Sequence, residues 1–505
     1  MAYSIEKVNR DVEFKNVHGN YYEPFKEIIR LWNDPAKKGL EAYNDTTQDI
    51  HSIIAHAIEK DIRIRACGSL WSLSRVPYVN GGHIFSYNEE DEQDMDVKFF
   101  LPDNVVFGEI PASNLLFAQC GTTIKEINHY CALKGQSIQT TGASNGQTIA
   151  GAMSTGVHGS AINIGSIQDT VVGLHIIKGP DSSDSVFVQS DKQKVVTKEF
   201  TDSINATLIE DDELFKAALV NLGGFGYVHG VLIETKDIFL LHNQIFELSI
   251  DRVFQFTKSL NINDLGLNFG DFDASQLYHV KFYINQYDET VRAEVMFSDT
   301  EIERKMDRPP FLKYNKDFLL PVIKLGSFLF KKSISKQINK RLPEPGKTEV
   351  GLIGNIFGDT TNMRDGQFAC AIAVDSKDAE IAYKLMIEPI TKRKRNWIPS
   401  VFSMRFVPKS KATMAFTKFE MNCVIDIDGI ETKGTKKYAD KITSILEKKN
   451  VDHTWHWGKY NSMDRAFMDK YLKEERTQWL KKRLDFFGDK VYSTFTSDYL
   501  RERGL

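Results

Sequence analysis

Cysteine is scarce and unpatterned in this chain. Five are present, at Cys67, Cys120, Cys131, Cys370 and Cys423, and no two have CxxC spacing. That argues against a disulfide framework or a zinc ribbon and fits reduced thiols in a cytoplasmic protein. A basic excess is also lacking. Lys and Arg number 64 against 68 Asp and Glu, for a formal net charge of -4, which argues against a nucleic-acid partner. No apolar run approaches the roughly 20 residues that cross a bilayer, and Met1 to Lys7 offers no apolar signal-peptide core. The expectation is therefore a soluble protein without a transmembrane segment. His453-x-x-His456 lacks a third ligand at metal-binding spacing, so no metal is expected. Gly224-x-Gly226 lacks the third glycine and following helix of a dinucleotide fingerprint, and reads instead as a tight turn between a helix and a strand. Internal repeats and low-complexity tracts are absent.

What remains is an ordinary globular composition, 42% hydrophobic and 26% charged, over 505 residues. That length predicts two domains. From Thr47 to Ala66 the apolar spacing predicts a helix and then a strand ending at the turn Cys67-Gly68-Ser69. The same grammar returns at Leu115–Ala118, Gly121-Thr122 and Ile124–Leu133. A strand follows at Thr170–Ile177, then a polar connection, a turn at Leu222–Gly226 and a strand at Val228–Thr235. Beyond about residue 238 the glycine clusters stop. Strand-like runs at Leu277–Ile284, Val291–Phe297, Gln367–Val374, Phe402–Val407 and Cys423–Ile427 mix there with helices at Asp378–Met386 and Thr435–Lys448. The fold class expected is α+β.

Three glycine-rich segments carry the chemistry. The first is Ala66-Cys67-Gly68-Ser69-Leu70-Trp71-Ser72-Leu73-Ser74. The second runs Thr141-Gly142-Ala143-Ser144-Asn145-Gly146-Gln147-Thr148-Ile149-Ala150-Gly151-Ala152-Met153-Ser154-Thr155-Gly156-Val157-His158-Gly159. The third is Leu222-Gly223-Gly224-Phe225-Gly226-Tyr227-Val228. Successive N–H groups in small-residue turns form concave nests that hold a pyrophosphate without net positive charge. Ser and Thr hydroxyls add donors, and missing side chains let a flat ring lie against backbone.

On these residues the chain resembles the vanillyl-alcohol-oxidase-type (PCMH-type) flavoproteins, nearest their aldonolactone and alditol oxidases and flavin-linked cholesterol oxidases. QTIAGAxSTGxHG at Gln147–Gly159 is the most specific match, LGGFGxV at Leu222–Val228 the second, and His456-Trp457-Gly458-Lys459 matches the HWxK of the sugar-lactone branch. The resemblance implies an FAD-binding domain of two subdomains over residues 1–237, with its core at about 40–235. It implies a cap domain with a large antiparallel sheet over 238–465, and a C-terminal segment, 466–505, that returns to the FAD domain. The implied reaction is oxidation of a CH–OH group of an alcohol, polyol or sugar-1,4-lactone by hydride transfer to flavin N5, with reoxidation by dioxygen or another acceptor.

Two departures from the pattern matter. The first-loop position where many relatives carry a flavin-linking histidine is Trp71, so FAD is expected to be held non-covalently. Trp71 either packs on the flavin or fills core. The Glu-x-Arg pair of the cap becomes Ser403-Met404-Arg405, with a hydroxyl in place of the carboxylate. Arg405 and Lys459 are candidates to lower the pKa of a substrate hydroxyl, although an ordinary salt bridge would also account for Arg405. His456 is the candidate proton acceptor. The apolar segment Phe318–Phe330, followed by basic residues to Arg341, reads as a buried helix broken at Pro321. Otherwise it is an apolar flap that touches a membrane surface or admits a sterol-like substrate. Loss of the cap carboxylate keeps open a third reading, a flavin-binding protein whose catalysis has decayed.

Overall fold

The computed structural model describes residues 2–9, 12–86, 110–300, 334–357, 366–488 and 492–505. Three sheets carry the site. The first has the order Tyr3–Lys7, Glu27–Leu31, Gly82–Phe85, Ile64–Cys67, with its last three strands parallel. Helix Gly39–Glu59 makes the crossover between Glu27–Leu31 and Ile64–Cys67. This helix begins well before Thr47. Ala42, Tyr43, Thr46, Thr47, Ile50, Ile53, Ile54 and Ala57 make one buried stripe, and polar Thr46, Thr47 and Asp49 conceal its first half from a hydrophobicity reading.

The second sheet runs Thr207–Glu210, Ser185–Gln189, Val171–Ile177, Tyr227–Asp237, Leu115–Gln119, with Gln136–Ile138 beside the end of Tyr227–Asp237. The stretch between Ile177 and Leu222, expected as a polar connection, instead folds into two strands and the helices Lys198–Ser203 and Asp212–Leu219. Its strand SVFVQ is fully buried but only five residues long, too short to stand out among polar neighbours. The glycine-rich segment also holds an unexpected helix, Ile149–Thr155, closed by Gly156 at φ 73°. The Leu222–Gly226 turn joins helix Asp212–Leu219 to strand Tyr227–Asp237, as its sequence predicts.

The third sheet is antiparallel and eight-stranded: Thr348–Gly351, Leu240–Leu248, Thr290–Asp299, Leu277–Asn285, Ser400–Pro408, Met421–Ile430, Gln367–Asp375, Thr454–Trp455. Register explains its two faces, because side chains alternate sides along a strand and opposed residues share a side. Ala293, Phe282, Met404, Ile425 and Ile372 form one row across five strands. That face is apolar, and Phe256 of helix Ile250–Ser259 packs on Phe282 and Phe406 of the same side. One residue along, Glu294, Lys281 and Arg405 form a row on the opposite face, and Arg292, Tyr283, Ser403 and Asp426 form the next.

Helix Ala379–Thr391 runs five residues past its expected end, while the helix expected over Thr435–Lys448 is two, Lys433–Ala439 and Ile442–Glu447. Near the C-terminus, helix Lys473–Phe487 packs on helix Asp212–Leu219, and Lys482 reaches Asp211 at 2.9 Å. Segment Phe318–Phe330 lies outside the described residues. The short helix Ile334–Asn339 that follows is tied to Asn285 and Asp288 through Ser335 and Asn339. Among the described residues no helix is long and apolar enough to cross a membrane.

Candidate functional site

A cavity of about 530 Å³ separates the three glycine-rich segments from the charged face of the third sheet. On the loop side, the first segment leaves strand Ile64–Cys67 and bends sharply, with Leu70 at φ 54°. Gly68 is dictated by its neighbour, since a Cβ there would stand 2.1 Å from Thr148 Oγ1. Gly159 is dictated likewise, with a Cβ 2.4 Å from the Thr141 carbonyl oxygen. Ala66 is exposed although it sits in a sheet, because it looks into the cavity.

The third segment is held by two buried arginines. Arg65 donates to the carbonyls of Val76, Leu222 and Gly223, and Arg483 donates from Nε to the Gly224 carbonyl at 2.6 Å. Burial pushes each guanidinium down to about 10. Neither has a carboxylate partner among the described residues, so both act as donors to backbone oxygens. With those carbonyls engaged, the turn is fixed as a cavity wall through Asn221, Leu222, Gly223 and Gly226.

On the sheet side Asp426 is the organising charge. It is fully buried, receives Arg405 through Nε at 2.7 Å and Nη2 at 2.8 Å, and receives Lys459 Nζ at 2.6 Å. Burial alone would raise its carboxyl, but Arg405 and then Lys459 outweigh that and hold it well below the usual carboxylate range. Arg405 also bonds His158, through Nη1 to the carbonyl at 3.2 Å and Nη2 to Nε2 at 3.3 Å, which joins the glycine-rich segment to the sheet. Burial, and next Lys459, push the His456 imidazole down to about 3. Its Nδ1 accepts the Gly458 N–H at 2.9 Å, so the neutral ring carries its proton on Nε2. That bond turns the candidate proton acceptor into a donor.

Of the cofactor-loop residues expected from sequence, Ala66, Cys67, Gly68, Ser69, Leu70, Trp71 and Ser72 all line the cavity. So do Gly142, Ala143, Ser144, Gln147, Thr148, Gly151, Ser154, Thr155, His158, Gly159, Gly226 and Val228, and on the sheet side Arg405, His456 and Lys459. Four stand behind the wall. Ser74 donates to the Trp457 carbonyl at 2.6 Å, Thr141 donates to Asn145 Oδ1 at 2.9 Å, and Gly156 caps its helix. Ser403 is buried with Oγ 3.5 Å from Asp426 Oδ2. The missing cap carboxylate is therefore not missing from the site, because Asp426 opposes Ser403 on the next strand and takes the arginine.

The HWxK segment also clasps the first loop. Its Gly458 and Trp457 carbonyls accept from the Leu73 N–H at 2.8 Å and from the Ser74 hydroxyl. Trp71 rims the cavity, with its indole where a Gly146 Cβ would be and perpendicular to the His18 ring at 5.7 Å between centroids.

Sequence reasoning missed Asp426 and a polar group on the cavity face: His279, Lys281, Tyr283 and Glu294. The signal was alternation. In Leu277–Asn285 His279, Lys281 and Tyr283 alternate with Val280, Phe282 and Ile284, and Asp426 and Asp428 alternate with Ile425 and Ile427.

Comparison with known proteins bears on this geometry. Residues 42–183 match the profile of the FAD binding domain family. D-arabinono-1,4-lactone oxidase of Saccharomyces cerevisiae is 32% identical over 114 residues, 23% of this chain and 18% of the yeast protein. Its counterpart in Debaryomyces hansenii is 30% identical over 120 residues, 24% and 18% of the two chains. The chain thus matches less than a fifth of the length of these curated relatives. Solved structures extend the likeness of fold to the whole chain. The cholesterol oxidase from B. sterolicum superposes with a TM-score of 0.67 at 11% identity, covering 99% of this chain and 97% of that one. A solvent-stable cholesterol oxidase gives 0.70 at 12%, covering 100% and 98%. The PCMH-type FAD-binding fold with its large antiparallel sheet is shared with these structures.

Proposed function

We propose, from the match of residues 42–183 to the FAD binding domain family, that the chain is an FAD-dependent oxidoreductase acting on a CH–OH group of a polar substrate: an alcohol, polyol or sugar lactone. The observation that carries the reading is the Arg405–Asp426–Lys459 cluster opening onto the same cavity as the glycine-rich segments. The yeast relatives, named as lactone oxidases, point the same way.

The donor set fits FAD. The loop wall is backbone and small hydroxyls, its glycines leave no room for Cβ atoms, and Gln147 Oε1 is buried at the wall without an intramolecular hydrogen-bond partner. The residues of segments 66–72, 142–159 and 226–228 would hold the cofactor, which when bound supplies a two-electron sink.

Arg405 and Lys459 hold the substrate hydroxyl oxygen and stabilise the charge that develops as its proton leaves. Asp426 is a positioning residue that fixes both cations through one buried carboxylate. His456 donates from Nε2. Asp428 lines the cavity 3.8 Å from Lys459 and receives the hydroxyl proton. The flavin is held without a covalent bond, because Trp71 offers no nucleophile and burial pushes the Cys67 thiol up, keeping it protonated. Charged Lys281, Glu294, Arg405 and Lys459 in one wall favour a polar substrate over a sterol.

The test is an absorption spectrum of purified protein, repeated on the supernatant after acid precipitation, followed by anaerobic titration with polyols and aldonolactones. Flavin bands near ~450 nm that follow the supernatant and bleach with an alcohol or lactone are expected. Colour retained in the pellet would refute the non-covalent assignment. A protein that cannot be reconstituted with FAD, or a flavin that no alcohol bleaches, would refute the enzymatic one.

A further inference from the structure

The sheet wall of the cavity holds a cation that no carboxylate neutralises at close range. Lys281 sits between Glu294 and Arg405 in one cross-strand row, so all three side chains leave the sheet on the cavity side. Arg405 already has its counter-charge, bonded to both oxygens of Asp426. Glu294 is turned elsewhere: Oε2 accepts the Tyr283 hydroxyl at 3.0 Å, and Oε1 accepts Asn243 Nδ2 at 3.3 Å. Lys281 has no carboxylate within 4.0 Å among the described residues, and its ammonium stands 4.1 Å from the centre of the Tyr283 ring.

Beside it, on the same strand and the same face, His279 is 2% exposed with neither ring nitrogen hydrogen-bonded. Glu294 Oε2 lies 3.6 Å from its Nε2, too far for a full bond. A half-buried ammonium and a buried imidazole without a full hydrogen bond, its Glu294 neighbour 3.6 Å away, can share one further partner on this wall, an anionic oxygen acceptor. Burial, and next the like charge of Arg405, also push the Lys281 ammonium below its ordinary value. An arriving anion relieves that penalty.

Resting on the oxidoreductase reading above, we infer that the substrate is a hydroxylated carboxylic acid, its carboxylate received by Lys281 and His279 and its hydroxyl held by Arg405 and Lys459. Lys281 and Arg405 are register partners, about 5 Å apart at Cα. The two recognised groups therefore belong to one small molecule. Charge reinforces the choice: an uncharged polyol would leave Lys281 desolvated and unpaired beneath it, whereas an acid completes the row.

The FAD-loaded protein tests this by anaerobic flavin difference spectra with two matched series. D-Glycerate, D-erythronate and D-gluconate form one, and glycerol, erythritol and sorbitol form the other. For at least one chain length the acid is expected to bind about ten-fold or more tightly than its alditol. Lys281→Met should abolish that preference and Lys281→Arg should retain most of it. Acids and alditols binding alike, silence from both series, or a preference that survives Lys281→Met would each overturn the inference. Bleaching by alditols without any acid preference overturns it and leaves the oxidoreductase reading intact. Acids that bind through Lys281 and never bleach the flavin sink the oxidation and keep the anion site.

Discussion

The two walls of the cavity are built on opposite principles. The loop wall is mostly backbone, its turns shaped by glycines that touch a neighbour and locked by the buried Arg65 and Arg483. Its recognition elements are local in sequence, each within one short segment. The sheet wall is side chain and charge, and its elements come from different strands: Glu294, Lys281, Arg405 and Asp426 belong to four. Backbone N–H groups bind a phosphate without needing a counter-charge. A buried carboxylate and two cations must satisfy each other or be expelled. The loop wall therefore tolerates changes of charge and fails on changes of shape, and the sheet wall behaves the other way.

Acid is the harshest way to test that difference, because it reaches both walls at once. Burial is the first cause that pushes His83 and His229, beneath the loops, and His456, on the sheet side, down to about 3. In the unfolded chain each titrates near ~6.5. Between those values the unfolded state binds more protons, so stability is fully present above pH ~6.5 and is lost as pH falls toward 3. The slope is about 1.4 kcal/mol per pH unit for each imidazole. Melting temperature measured from pH 8 down should be flat at first and then fall steeply below ~6. A melting temperature unchanged to pH 4 would show that these rings do not stay neutral in the fold.

Asp426→Asn strikes the sheet wall first. It leaves buried Arg405 and Lys459 facing a neutral amide, and removing one partner of a buried ion pair costs about 3–5 kcal/mol. Thermal melts should show that loss while FAD content of the folded fraction stays near wild type. If FAD is lost in proportion to stability, the two walls are not independent.

The same contrast decides what the sequence makes legible. Loop-wall residues announce themselves because shape is specified by small residues close together, and nearly all those singled out there line the cavity. Asp426 could not be found that way. Its partner Arg405 is 21 residues distant, and only the strand register, which no short window contains, sets Asp426 opposite Ser403. The large antiparallel sheet was an implication of the family resemblance, and the α+β class was legible from alternation. Strand Ser185–Gln189 was not, since five buried residues carry too little period to separate from a loop. His456 reads differently for another reason: residue type offered a base, while the Gly458 N–H occupies its Nδ1 and leaves the neutral ring's proton on Nε2.

Gly68→Ala is the counterpart on the loop wall, with a smaller effect on folding and a larger one on the cofactor. The added Cβ would meet Thr148 Oγ1 at 2.1 Å, and Thr148 is a buried, β-branched residue at the start of helix Ile149–Thr155 that cannot swing away. The loop must move instead, and FAD affinity should fall at least about ten-fold, measured by fluorescence titration of the apoprotein. Gly135→Ala is the control, since Gly135 has φ 69° with nothing within 4 Å of its Cβ position. It should cost about 1–2 kcal/mol of stability through backbone strain and leave FAD affinity unchanged.

The smallest effect is expected where the sequence pattern made the most of a residue. Ser403 occupies the position of the absent carboxylate, yet it is buried on the sheet and contributes only a hydroxyl 3.5 Å from Asp426, at the outer limit of hydrogen bonding. Ser403→Ala should therefore change stability by about 1 kcal/mol or less and leave bleaching of the flavin by substrate intact. The revealing variant is Ser403→Glu combined with Asp426→Asn, which moves the carboxylate one strand across while keeping its place in the row. If the site needs a buried negative charge beside Arg405 whichever strand supplies it, the double variant should recover a good part of the stability lost in Asp426→Asn. If recovery fails while Ser403→Ala remains silent, Lys459 is the reason, because only the Asp426 geometry lets one carboxylate hold both cations.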